Sequence, residues 1–398
     1  MPAATVYHEV RRLLKAHVDP KVDDASLERL TLLVVGILEA EHASPARIAQ
    51  ALNKLGLSDA KPESIERRIR RIENDPDITA ALCVHPLAQL QLCLGRPRQL
   101  LLILDPTTQD DRVVMLTAAV WYRGRALPLA WAIWPANTPL QGERFWQRVA
   151  ALLDEVVPLL PVGVTVTWLA DRAFGTPAFT DLIVARGWWY VVRVQDQTRY
   201  QDQQGHAVAL GEWVVQPGQR RKGVGQVFKK QGWRTASAVV YWGQTHRRAL
   251  CLVSNLRCGW ELIALYRRRY PIEALFRHYK SAGWQWEAGQ VTNFKHLQRL
   301  LVGMALATWL ALLVGAQVGA EVLAQAPSGV RRTRPPEAKH SLFRLGLNRL
   351  QQALRSACDL RLPYWLTDWS APNWLQQATW HHARAFVFHA IWLPDEDC

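Results

Sequence analysis

The sequence predicts an α/β fold: a mixed-sheet core, a β-rich insertion within it, and a helical domain ahead of it. Three observations carry this. Gln99 to Asp105 is a continuous apolar run ending in an acid, typical of a buried strand, and Val164 to Asp171 reads as a second strand that ends in an acid. Leu27, Leu30, Leu33, Val34, Ile37 and Leu38 recur at helical spacing. Residues 195 to about 246 turn polar and Gly-rich before apolar runs resume.

The bulk numbers bound the answer. The chain has 398 residues, enough for two or three domains, and at 49% hydrophobic and 21% charged it reads as globular. Lys and Arg outnumber Asp and Glu by 48 to 34, a net charge of +14. A charge of that size calls for a polyanionic partner, most often nucleic acid. The six cysteines (Cys83, Cys93, Cys251, Cys258, Cys358, Cys398) form no Cys-x-x-Cys pair, which fits reduced thiols and argues against a structural zinc site. Met1-Pro2-Ala3-Ala4 does not open a basic region followed by an apolar run, so no signal peptide is expected. Leu300 to Ala320 is uncharged and long enough to cross a bilayer. It also carries Gly303, Gly315, Gly319 and Gln317 between Arg299 and Glu321, and a helix buried in a large core reads the same way. The core reading is preferred, with no membrane partner.

Residues 1–96 are expected to be helical. Ser44-Pro45 reads as an N-cap followed by Pro at the first helical position. Leu55-Gly56-Leu57 gives a turn, and Lys61-Pro62 opens a second helix bearing Arg67, Arg68, Arg70 and Arg71. A short helix, a Gly turn and a basic helix at about 44–72 outline a helix-turn-helix DNA reader. An ordinary helical hairpin with a solvated basic face has the same outline.

Residues 97–194 begin the core. After the run ending in Asp105 come strands Val113 to Trp121 and Ala126 to Trp134, joined by the tight turn Tyr122-Arg123-Gly124-Arg125. Glu143 to Val157 is an amphipathic helix, and Val164 to Asp171 is a strand. Thr176 to Arg186 is helical, and Trp188 to Val194 is the fifth strand. Asp105 competes with Asp110 and Asp111 for a role, and its strand position favours it. Asp171 stands in Asp-Arg-Ala-Phe-Gly, which by itself also suits a cap or turn.

Residues 195–255 form the insertion, with a basic run from Arg220 to Lys230 and two strands, Thr235 to Trp242 and Arg248 to Ser254. Residues 256–325 return to the core. Pro271 opens a helix with Glu273 in its first turn and Lys280 two turns on. Residues 326–398 hold a basic Pro-containing loop (Arg331 to Pro336), a helix from Ser341 to Ser356, and a Trp-rich end, with dimerisation or DNA contact as candidate roles.

Tyr266, Arg269, Glu273 and Lys280 follow the pattern Tyr-x2-Arg-x3-Glu-x6-Lys. Four such fixed residues arise by chance in about one in 400 chains of this length. The pattern resembles the signature of bacterial insertion-sequence transposases with an Asp-Asp-Glu (DDE) site. The order of three antiparallel strands, helix, strand, helix, strand is similar to an RNase H-like fold. That group also carries an insertion between its second Asp and its Glu, and an Arg and an aromatic-Gly pair after the second Asp, as Arg172, Phe174 and Gly175 do here.

The resemblance implies a catalytic and metal-binding trio of Asp105, Asp171 and Glu273. Asp105 would bridge two ions, with Asp171 on one and Glu273 on the other. Oxygen donors of this kind suit Mg²⁺, with Mn²⁺ able to substitute. Tyr266, Arg269, Lys280 and Arg172 are implied as DNA contacts. The group also places a Trp on the insertion, stacking on a base flipped out beside the cut. No Trp lies on Arg248 to Val253, so Trp242, with Trp233 nearby, is the candidate. The implied activity is cut-and-paste transposition: binding inverted-repeat ends, cleaving them, and joining the 3′ ends to target DNA, with hairpin intermediates common in the group. A homodimer on DNA, at the nucleoid in a bacterial cytoplasm, goes with it. Two rivals stand beside this reading. One is another RNase H-like nuclease, against which the insertion and signature speak. The other is a non-catalytic DNA-binding descendant, against which the intact acid trio speaks.

Overall fold

A computed structural model describes residues 2–324 apart from Glu73, Asp110, Gln290 and Thr292, and then 341–356, 360–363 and Leu366. The basic loop Arg331 to Pro336 and most of the Trp-rich end, including Trp365, Trp369, Trp374, Trp380 and Trp392, lie outside the described residues.

Five helices come first: α1 (Pro2–His17), α2 (Asp24–Ala40), α3 (Pro45–Lys54), α4 (Pro62–Ile72) and α5 (His85–Gly95). Asp23 caps α2 by accepting from Ser26 N, and Glu41 ends it in the left-handed conformation at φ 47°. Pro45 and Pro62 each open a helix where a missing N–H is harmless. Ile65, Ile69 and Ile72 line the buried stripe of α4, which leaves its arginines outside.

The sheet follows, with β1 (Gln99–Gln109), β2 (Val113–Tyr122), β3 (Arg125–Pro135), α6 (Gly142–Val156), β4 (Thr165–Ala170), α7 (Pro177–Val184) and β5 (Trp189–Arg193). Then come β6 (Arg199–Gln201), β7 (Ala207–Ala209), β8 (Arg220–Val227), β9 (Arg234–Tyr241) and β10 (Leu250–Ser254). These ten strands form one sheet in the order β3-β2-β1-β4-β5-β10-β9-β8-β6-β7. β1, β4 and β5 are parallel neighbours, and the other pairs are antiparallel.

Two features go beyond the sequence reading. The basic run from Arg220 is mostly strand β8, whose outward side chains are charged and so carry no apolar alternation. The strands of residues 195–255 also extend the core sheet directly, because β10 pairs with β5 through Leu252–Arg193, Val253–Val192 and Ser254–Val191.

The chain closes with α8 (Glu261–Arg267), α9 (Pro271–Lys280), α10 (Phe294–Ala324) and α11 (Leu342–Arg355). The apolar stretch from Leu300 is the middle of α10, and its side chains are buried against α2, α11 and β3. Gly315 and Gly346 let α10 and α11 meet backbone to backbone, since a Cβ on either would strike a carbonyl of the other helix. α1 packs on α2, α5 and α11, and α2 packs on α10 and α11, so the N-terminal helices share one continuous core with the rest of the chain. Glu41 anchors this cap: Arg344 Nη1 donates to its Oε2 at 2.7 Å and Gln351 Nε2 to its Oε1 at 3.1 Å.

Candidate active site

The site grows from the point where β1 and β4 part. Their parallel register runs from Gln99–Thr165 to Leu104–Ala170, and one residue further on stand Asp105 and Asp171. β1 turns to β2 on one side and to β4 on the other, and the carboxyl ends of strands at such a switch point form a ready crevice. β1 does not stop at its acid. It continues to Gln109, pairing Asp105 with Thr117 and Gln109 with Val113 along β2. Pro106 is tolerated there because β4 has already ended beside it.

The two aspartates differ in setting. Asp105 is buried. Asp171 is partly exposed and caps the single turn Arg172–Phe174, with its Oδ1 accepting from Arg172 N. Its capping and candidate ligand roles therefore coexist on different oxygens. Gly175 closes that turn against β5, where a Cβ would strike Arg193 O.

Glu273 arrives from a helix more than a hundred residues beyond Asp171. Pro271 starts α9, which lies against β3 and β1 and brings its first turn over the strand ends. Glu273 is 55% exposed at the side chain, open to a ligand arriving from solvent. Between α8 and α9 sits Arg269, which is buried and bridges the acids. Its Nη1 donates to Asp105 Oδ2 at 2.8 Å and its Nη2 to Glu273 Oε1 at 2.8 Å. Tyr266 and Tyr270 flank the guanidinium, with ring centroids 5.9 and 5.2 Å from its carbon. The Tyr266 hydroxyl is buried beside it and completes no hydrogen bond of good geometry.

Charge is concentrated here. Burial pushes the Asp105 carboxyl up to about 7; Arg269 pulls against that rise, and Asp171 and Glu273 add to it. Burial opposes the charge on Arg269, but Tyr266 and the three acids together hold it firmly protonated. Three acids around one arginine leave the cluster net negative. An all-oxygen donor set with excess negative charge fits a hard divalent cation such as Mg²⁺ or Mn²⁺. Among the described residues, no three His, Cys, Asp or Glu side chains are already drawn into a metal cage.

The remaining sequence candidates are spread out. Lys280 lies at the end of α9 and pairs with Glu287 at 3.5 Å. Arg172 is exposed next to Asp171. Arg67, Arg68, Arg70 and Arg71 are exposed on α4, with Arg70 paired to Glu66 at 2.7 Å. Trp242 follows β9, is half-buried, and donates its indole N–H to His246 O at 2.8 Å within its own turn. One residue the sequence reading left without a role is Arg268, whose guanidinium carbon sits 5.1 Å from the ring centroid of Trp121 on β2. No local spacing signals that pair, because its members come together only in the folded sheet.

Residues 144–310 match the family model described as a transposase DDE domain. Asp171 and Glu273 fall inside the match, and Asp105 precedes it. The match supports a DDE transposase. A solved structure, the cryo-EM structure of a piggyBac transposase synaptic complex with hairpin DNA, is similar over 89% of this chain and 77% of that one, with 11% identity and a TM-score of 0.45. No curated protein sequence matches the chain.

Proposed function

We propose that this protein is a DDE transposase of the Tyr-Arg-Glu-Lys group, with an RNase H-like catalytic core, that cuts the inverted-repeat ends of an insertion sequence and joins their 3′ ends to target DNA. The observation that carries the reading is the Arg269 bridge. One buried arginine ties Asp105, on β1 just past the end of its pairing with β4 and beside Asp171, to Glu273 on α9, so residues far apart in sequence meet in one negative cluster. The match of residues 144–310 to a transposase DDE domain supports the coarser part of this reading, a DDE transposase.

In this reading Asp105, Asp171 and Glu273 hold two divalent ions, which when bound activate the attacking oxygen and stabilise the leaving one. Asp105 supplies an anchor fixed by burial, and Glu273 supplies an exposed carboxylate on a helix turn that can adjust. Arg269 keeps the acids together until a ligand takes over their charge, and its fork geometry can then grip a phosphate. Tyr266, whose buried hydroxyl lies against Arg269, adds one hydrogen-bond donor. Lys280 and Arg172 contribute point charge near the DNA path, and the arginines of α4 contact the element end. Trp242 is the candidate stacking residue if excision passes through a hairpin. A homodimer on DNA in a bacterial cytoplasm completes the proposal.

The test is a set of single substitutions in the full chain, Asp105→Ala, Asp171→Ala and Glu273→Ala. Each is expected to abolish Mg²⁺-dependent nicking of an inverted-repeat duplex while duplex binding survives, because a missing ligand removes metal and not DNA contacts. Near-wild-type nicking by any one variant removes that residue from the site.

A further inference from the structure

The basic strand β8 is left without a role by the site just described. Arg220 and Lys222 alternate with Arg221 along it, so the first two share one sheet face and the third points to the other. On the first face, Arg220 and Lys222 both sit over the ring of Trp260, at 4.8 and 5.2 Å from its centroid. Arg221 sits over Trp213 at 5.3 Å on the opposite face. All three are exposed, and none forms an ion pair among the described residues. A cation resting on an indole is held in place without losing its charge, because a ring face cannot neutralise it as a carboxylate would. Arg220 and Lys222 are therefore pre-oriented and unspent, unlike Arg70 and Lys280, which have acid partners.

Their position links them to the acids. Trp260 immediately precedes α8, which packs on β4, β5 and β10, and α8 leads straight into Arg268, Arg269 and then Glu273. The seven residues of α8 span about 10 Å at ~1.5 Å per residue. Successive base pairs rise by about 3.4 Å, so that length corresponds to roughly three base-pair steps. Cys258 further ties the strand to this lead-in, its Sγ donating to Gly223 O at 3.5 Å.

We propose that Arg220 and Lys222, seated on Trp260, clamp the phosphate backbone of the duplex a few base pairs from the strand held at Glu273. This rests on the function proposed above. Each clamp residue contacts a phosphate and carries no base information, so it serves any sequence that enters the site.

The experiment measures binding of the full chain to a duplex oligonucleotide across a salt series. For Arg220→Gln/Lys222→Gln, the slope of log K against log salt is expected to flatten by about 2, at ~0.9 per lost phosphate contact. Lys229→Gln/Lys230→Gln, which lies beyond the strand and off the indole, is expected to change the slope far less. Trp260→Leu is expected to weaken binding with little change in slope, because the charges remain and only their orientation is lost. An unchanged slope in the Arg220/Lys222 variant, or equal flattening in the Lys229/Lys230 variant, overturns the clamp. Absence of salt-dependent duplex binding by the wild type overturns both the clamp and the proposed function. A normal slope together with nicking that persists in Asp105→Ala overturns the assigned chemistry alone.

Discussion

Arg269 donates to Asp105 at 2.8 Å although 164 positions separate the two residues. The same guanidinium reaches Glu273, so one side chain fixes the spacing of two acids that no local element connects. A lysine offers a point charge on a flexible stem and cannot reproduce a planar fork with two fixed donors.

Arg269→Lys is accordingly expected to keep the fold and lose at least about tenfold in nicking rate, the equivalent of one lost oriented contact at ~1.4 kcal/mol. Arg269→Ala removes one partner of a buried pair and is expected to destabilise the protein by about 3 kcal/mol. Denaturant unfolding and single-turnover nicking of both variants provide the check. A lysine variant with the wild-type nicking rate would show that the fork is dispensable.

Trp242→Phe separates ring from N–H. The substitution deletes the bond to His246 O and is expected to cost roughly 1 kcal/mol of stability. It leaves an aromatic face, so any stacking contribution to hairpin formation should persist in Trp242→Phe and fall in Trp242→Ala. Equal hairpin rates in wild type and Trp242→Ala would assign Trp242 to the turn alone.

His278, on the same helix as Glu273 but packed against α11, supplies a pH dependence of its own. Its ring stacks on Phe343 with centroids 4.0 Å apart, and both ring nitrogens are shut off from water without a hydrogen-bond partner of good geometry. Burial, together with Arg125, Arg277 and Arg344, pushes its pKa down to about 4. A histidine depressed below its unfolded value of ~6.5 contributes stability that is present above pH ~6.5 and is lost as pH falls toward 4. The expected loss over that window is on the order of 2 kcal/mol, and His278→Phe should remove that share of the acid sensitivity. Thermal melts of both proteins between pH 7 and 4 measure it, and parallel curves would refute it.

Gly346→Ala sets two effects against each other. Alanine gains about 1 kcal/mol over glycine in a helix interior. Here, however, its Cβ would strike Ala311 O on α10, backbone that cannot turn aside, and overpacking costs about 1–3 kcal/mol. Net destabilisation is expected. A stabilised variant in a denaturant melt would mean that the two helices separate more easily than their packing implies.

The sequence disclosed most of what positions the candidate site. The strand bearing Asp105 is legible because a strand buried on both faces reads as an unbroken apolar run, and the one leading to Asp171 is legible from its β-branched Val164 to Thr167 ahead of Trp168, Leu169 and Ala170. Pro271 marks the start of α9, and hence the turn bearing Glu273, to the residue. What was hidden is non-local. β8 looks like a polar loop because its outward residues are cations, and β10's pairing with β5 depends on register across an intervening β-hairpin region. The Arg269 bridge was equally invisible, since a Tyr-Arg-Glu-Lys spacing says nothing about which acid across the fold the arginine meets. Helix propensity likewise could not reveal that the N-terminal helices share their core with α10 and α11.

That shared core has a consequence for the order in which the protein is made. α1 and α2 are synthesised some three hundred residues before α10 and α11, whose surfaces complete their packing. Until then they have only one another, α3, α4 and α5 to pack on, and the apolar faces that await α10 and α11 stay open, the kind of surface that recruits chaperones or seeds aggregation. The acids are in the same position, because Asp105 waits for Arg269. The negative cluster therefore closes only once Arg269 and Glu273 have been made, and the helical cap only once α11 has.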